Sequence, residues 1–207
     1  MPDLLILAAF IPTFFFVSVT PGMAMTLAMS TGMTVGLRGA LWMAIGELSA
    51  VALVSTAAAI GVAALMLNFP LAFLAFRVLG GLYLMYLGWQ LWHSRGKLAV
   101  VVGQGRRKVE PALLIRQGFI TAAANPKGWA FDAVLLPPFL DAGKPFMAQW
   151  PVLLIIILLI EFLCLMLYAA GGKSLGQFLN SHGRIQTLNR ISGGLMALVG
   201  LWLMVGG

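Results

Sequence analysis

Apolar residues in this chain come in long runs divided by short polar or turn-rich breaks. The runs fall at about 4–28, 39–67, 71–92, 113–136, 148–171 and 187–206. Several exceed the ~18 nearly uncharged residues that mark a membrane-spanning helix. Asn68-Phe69-Pro70 divides the second run from the third, and the turn-formers of "PPFLDAGKPF" divide the fourth from the fifth. The long breaks are "HSRGKLAVVVGQGRRKVEP" and "GGKSLGQFLNSHGRIQTLNR". The second of these mixes apolar and basic residues, which suits either a short interfacial helix or a charged linker. The pattern predicts an all-α membrane protein with six transmembrane helices in one membrane domain, 1–207.

Composition agrees with a lipid setting, since 61% of the 207 residues are hydrophobic and only 9% are charged. A soluble domain of this size needs far more polar surface. The first run does not read as a cleaved signal peptide. It lacks a basic start, carries Asp3 instead, and outruns the usual ~7–15 apolar residues, so a retained first span is expected.

The net charge of +7 raises nucleic acid as a partner, but the basic residues sit in short loops between apolar runs. Arg38 follows span one. Arg95, Lys97, Arg106, Arg107, Lys108 and Arg116 surround the break after span three, and Lys173, Arg184 and Arg190 follow span five. The opposite side has only Lys144. The positive-inside rule then places those three breaks in the cytoplasm and both termini on the outer side of the membrane. Charge here orients the protein in a lipid bilayer and does not point to nucleic acid. The single Cys164 forms no intrachain disulfide or C-x-x-C pair. His93 and His182 stand at span ends without other ligands at metal spacing, so neither a metal nor a cofactor is expected.

The chain also repeats itself. "RVLGGLYLMYLGWQL" from Arg77 and "RISGGLMALVGLWLM" from Arg190 share R-x-x-G-G-L and a further glycine ten or eleven residues after the arginine. One opens span three and the other span six. The repeats are therefore expected at 1–95 and 112–207, three spans each, with a basic cytoplasmic loop at 96–111 between them. An odd number of spans per repeat inverts the second copy, a recurring plan for secondary transporters. The glycines themselves suit close helix packing, whether sealing the bundle or joining a homodimer.

Corresponding first spans of the two halves contain "VTPGMA" and "ANPKGW". Thr20-Pro21 and Asn125-Pro126 have the grammar of a helix start, with an N-capping residue before a proline at the first helical position. Helices one and four are thus expected to be broken, with half-helices beginning at Pro21 and Pro126. Their free amides, at the positive end of a helix dipole, would gather at membrane depth, where they must line a cavity or meet a partner. A substrate carboxylate is a natural guest.

Lys127 and three acids fall inside spans. Lys127 lies far from either end of its run and needs a partner or a cavity. Glu47 and Glu161 occupy the second span of each half, and Asp132 lies toward the outer end of span four. Lys127 is expected to face the interior near Glu47 or Glu161, one of which would exchange protons. A structural salt bridge is the bland alternative. Arg77 lies close enough to Pro70 to snorkel outward.

The residues "TPGM", "GLRGALWMAIGELSA", "RVLGGLYLMYLGWQLW", "GFITAAANPKGWAF" and "LNRISGGLMALVGL" resemble the LysE/RhtB family of amino-acid exporters over nearly the whole chain. The resemblance implies that Pro21, Gly22, Glu47, Asn125, Pro126 and Lys127 occupy family motif positions. It also implies a six-span bundle exporting amino acids or related compounds, driven by proton motive force. The chain departs at Met23, where members commonly carry a second proline.

The substrate-binding set is then expected to be Thr20, Pro21, Gly22, Asn125, Pro126 and Lys127. Glu47, Glu161 and Asp132 would serve proton coupling or ion pairing. A passive pore and a metal-ion exporter are the alternatives. A membrane enzyme finds no metal cluster, no G-x-S-x-G elbow and no histidine at membrane depth.

Overall fold

Two short apolar helices meet at the first interruption. α1 (Leu4–Val19) ends before Thr20-Pro21-Gly22, and α2 (Met23–Thr34) leaves at a bend of 59°. Gly36, at φ +94°, turns the chain into the long α3 (Leu37–Asn68). Pro70 then opens α4 (Pro70–His93) at its first position, where a missing amide hydrogen costs nothing. The computed structural model describes residues 4–94, 109–141, 143–180 and 184–205. Most of the basic loop expected at 96–111 lies outside them.

The second half begins with α5 (Pro111–Ala123) and passes through Ala124-Asn125 into α6 (Pro126–Leu135). A 3-10 turn, Pro137–Phe139, leads to α7 (Phe146–Asn180) and α8 (Arg184–Val205). Gly172, at φ +43° and ψ −130°, kinks α7, so its last turns form a separate helical segment. The Arg184 guanidinium lies 3.9 Å from the centre of the Phe178 ring and donates to Phe178 O at 3.2 Å, which closes the bend toward α8.

Every regular element among the described residues is helical. Three of these helices are long and apolar enough to cross a membrane: Leu37–Leu65, Leu71–His93 and Phe146–Gly172. The bent α1–α2 pair makes a fourth if counted as one span. α8, at 22 residues, is not among them, and the rest of the difference from the six runs of the sequence lies in the interruptions. These cut the first and fourth runs into helices of 16, 12, 13 and 10 residues, shorter than the ~20 that a bilayer needs.

α4 and α8 form the most extensive pairing, along a seam of glycines. A methyl group on Gly88 would stand 2.5 Å from Gly193 O, and one on Gly193 2.5 Å from Gly88 O. Gly81 and Gly200 approach each other the same way, at 2.6 Å. Moving forward on α4 from Gly81 to Gly88 moves the contact backward on α8 from Gly200 to Gly193, so the helices are antiparallel. Both carry Gly-x6-Gly, a heptad spacing that keeps one face in contact along a left-handed wrap. Exchanging the helices by laying Gly81 on Gly193 and Gly88 on Gly200 turns each contact into the other. The R-x-x-G-G-L match pairs Gly81 with Gly194, so the symmetry of this seam is displaced by one residue from the motif match. That shift accounts for the uneven spacing of the further glycine.

A second seam joins α3 to α5. The Ile115 backbone lies against Gly46, and Met43 O and Glu47 N lie against Gly118. The buried core gathers Phe10, Phe14 and Phe139 with Leu153, Ile157 and Leu165 of α7.

Candidate functional site

A chamber of about 290 Å³ opens among the interrupted helices. That is near the low end of small-molecule sites, roughly 300–1,000 Å³. Its wall takes Phe14, Val17 and Ser18 from α1, then Thr20 and Gly22 from the first interruption and Met23, Ala24 and Met25 from the first turn of α2. Glu47, Val51 and Val54 come from α3, and Ala122 and Asn125 from the second interruption. Gly128 and Asp132 of α6 and Glu161 of α7 complete it. Both interruptions and all three acids named from the sequence therefore face one space.

The start of α2 offers it bare amides. Gly22 is the N-cap, in extended conformation and without a side chain, and the first intrahelical donor is Thr26 N to Gly22 O at 2.9 Å. The amides of Met23, Ala24 and Met25 precede it and have no intrahelical acceptor. This corrects two expectations. α2 begins at Met23, two residues after Pro21, because Gly22 takes the capping position. Thr20 does not cap it either. Its hydroxyl turns back, 2.6 Å from Phe16 O and 2.6 Å from Ser192 Oγ, while Ser192 Oγ donates to Phe16 O at 2.8 Å. Pro21 stands at the turn, half-buried and off the chamber wall.

The carbonyls ending α1 are what these hydroxyls satisfy. Phe16 O meets Thr20 and Ser192, Val17 O accepts Thr20 N at 3.3 Å, and Val19 O accepts the Tyr168 hydroxyl at 2.9 Å. Ser192 and Tyr168 are fully buried and come from α8 and α7. Sequence reasoning missed both. A lone serine or tyrosine in an apolar run carries no signal until the chain that it caps is known.

The start of α6 is different. Pro126 has no amide hydrogen, and the amides of Gly128 and Trp129 are spent on Asn125 O at 3.1 and 3.3 Å. Asn125 reaches the chamber wall. Helix α6 does begin at Pro126, but the side chains of Pro126 and Lys127 lie outside the described residues. On the other side of the break, the exposed Trp129 indole donates to Ala123 O at 2.9 Å and caps α5.

The acids stand in distinct settings. Ser55 of α3 donates to Asp132 Oδ2 at 2.6 Å, and both residues are buried. Glu47 is 2% exposed, and its Oε2 has no hydrogen-bond partner among the described residues. Glu161 is half-buried and near enough to Glu47 for their charges to interact. Such a chamber brings helix-start amides, carboxyl groups and apolar side chains to one space. It suits a small zwitterion.

The family model described as LysE type translocator matches residues 15–207. An uncharacterized membrane protein of Vibrio cholerae is 27% identical over 201 residues, 97% of each chain. A homoserine/homoserine lactone efflux protein of Salmonella typhimurium is 26% identical over 200 residues, 94% of each chain. A protein of the same name from Salmonella typhi is 26% identical over 200 residues, again 94% of each. No solved structure matches the chain.

Proposed function

Because the chain belongs to the LysE-type translocator family, we propose that it exports amino acids or related small zwitterions across the bacterial inner membrane in exchange for protons. One observation carries this reading: both helix interruptions and Glu47, Asp132 and Glu161 line one chamber.

The architecture behind it is six spans in two inverted halves, with α1–α2 and α5–α6 as the broken first span of each and both termini outside. The helix pairings support that symmetry. α4 packs on α8 and α3 on α7, pairs that such an axis maps onto themselves. α3 packs on α5 as α7 does on α1, and α2 on α7 as α6 does on α3. Rocking of one half against the other then opens the chamber to each side in turn.

The substrate carboxylate meets the start of α2 and the Lys127 ammonium, with Asn125 alongside. The substrate amine approaches Glu47 or Glu161, which trades it for a proton. The Salmonella relatives are named for both homoserine and its lactone. These share an amine, but only the former has a free carboxylate, so for this chain too the acids are the common point of recognition.

The test is export of labelled amino acids from loaded proteoliposomes under an imposed pH gradient. Saturable export that follows the gradient is expected. Flux that is unsaturable and indifferent to the gradient would mean a passive pore. Unchanged transport after both Glu47→Gln and Glu161→Gln would remove the proton coupling while leaving the exporter.

A further inference from the structure

The three carboxyl groups of the chamber are not equivalent. Asp132 is held by the Ser55 hydroxyl at 2.6 Å. Glu161 Oε2 is buried and without a hydrogen-bond partner among the described residues as well, but the residue is only half-buried and has a further interaction of its own. Glu47 is buried to 2% exposure on the chamber wall, with Oε2 lacking a hydrogen-bond partner among the described residues. Buried carboxyl oxygens in native proteins are nearly always satisfied, and one that is not calls for a donor from elsewhere.

The backbone around Glu47 fixes it in place. Gly46 admits the Ile115 backbone, and Gly118 admits Met43 O and Glu47 N, so α5 lies flush on α3 at this level. This close backbone contact holds the α3 backbone at Glu47 against α5. α5 then runs on to Ala122 and Asn125, themselves on the wall. The first turn of α2 brings amides to the same space. An unsatisfied acceptor and a set of donors without intrahelical partners thus share one small chamber.

We infer that Glu47, alone of the three acids, receives the substrate's ammonium group, and that the ammonium is the obligatory element of recognition. This rests on the exporter reading above and narrows its substrate class. Amine-bearing compounds are accepted whether or not their carboxylate is free, and the corresponding hydroxy acids are refused. A site built to hydrogen-bond an N–H discriminates strongly against an analogue lacking it, because the buried acceptor is left unmet. Losing the carboxylate charge is milder, because an ester or lactone keeps its carbonyl oxygen to accept from the α2 amides, Asn125 and Lys127.

The purified full-length chain in detergent is screened by thermal shift against the twenty standard amino acids and L-homoserine. Affinity for the strongest binder is then compared with that for its methyl ester and its α-hydroxy acid. The expected losses are about 10-fold for the ester and more than about 100-fold for the hydroxy acid, the latter measured on unmutated protein. Glu47→Gln reproduces the hydroxy-acid loss for the amino acid itself and exceeds the loss in Glu161→Gln and in Asp132→Asn by at least about 10-fold. Equal binding of the hydroxy acid, or affinity kept in Glu47→Gln and lost in Glu161→Gln, overturns the inference and leaves the exporter standing. Failure of every amine in the panel to bind overturns both.

Discussion

At the first interruption the chain bends by 59° around Gly22, and the helix that follows opens on three amides with no side-chain cap. At the second it passes through Ala124-Asn125, and the amides that follow are absent at Pro126 or already bonded to Asn125 O. The carbonyls behind the first are met by buried hydroxyls from α7 and α8; the carbonyl of Ala123 behind the second is met by an exposed indole three residues into α6. Matched in sequence, the two breaks differ in what they present. The first is a neutral cradle anchored to distant helices, and the second is a locally closed turn that supplies a carboxamide and carries Lys127. In the exporter proposed above, the two breaks would therefore divide the work of recognition.

The sharpest way to break that comparison is to fill the first cradle. A Cβ on Gly22 would meet only Thr20 O at 3.9 Å, and its extended backbone suits any residue. Gly22→Asp places a carboxylate on the α2 amides, where an N-capping aspartate is well accommodated. Transport should fall by at least about 100-fold, through competition with the substrate carboxylate and repulsion from the nearby acids, while the melting temperature holds or rises. Vesicle export and a melting curve on the same preparation decide it. Retained export means that the cradle is not where the substrate sits.

Much of this contrast was hidden from the sequence, and for identifiable reasons. Apolar runs and prolines locate the interruptions because membrane length and the missing proline amide are local constraints. The three acids and Asn125 stand out because polar groups in lipid are costly, and all of them do reach the chamber wall. Which hydroxyl meets which carbonyl depends on helices more than a hundred residues apart. Thr20 therefore looked like a cap for α2 and instead faces Ser192. The repeat register slipped by one for a related reason: R-x-x-G-G-L matches letters, while the seam between Gly81, Gly88, Gly193 and Gly200 matches faces.

The anchoring of the two breaks should differ in strength. Tyr168→Phe leaves Val19 O without its donor, and Ser192→Ala takes one from Phe16 O, both in buried surroundings. Tyr168→Phe should cost about 1–3 kcal/mol, the range for a stranded buried acceptor, and Ser192→Ala about 0.5–1.5 kcal/mol, because Thr20 still serves Phe16 O. In a chain of this size that is a drop of roughly 2–4 °C per kcal/mol. Trp129→Phe uncaps Ala123 O where the side chain is 45% exposed, so its loss should stay below about 1 kcal/mol. Equal losses at the two sites would erase the distinction between distant and local anchoring.

The smallest effect is also the most diagnostic, because one substitution should have opposite signs at the two breaks. Gly22 is an N-cap, a position where glycine is far better than alanine, so Gly22→Ala should destabilise by about 0.5–1 kcal/mol. Gly128 lies inside α6 with nothing within 4 Å of an added methyl. There Gly128→Ala gains helix propensity and should stabilise by about 0.5–1 kcal/mol, although its methyl projects toward the chamber. Paired melting curves read both values against the same parent. A stabilised Gly22→Ala would put residue 22 inside the helix and start α2 earlier, at the imino acid. The first break would then present an ordinary helix start like the second, and the division of labour between them would have no structural basis.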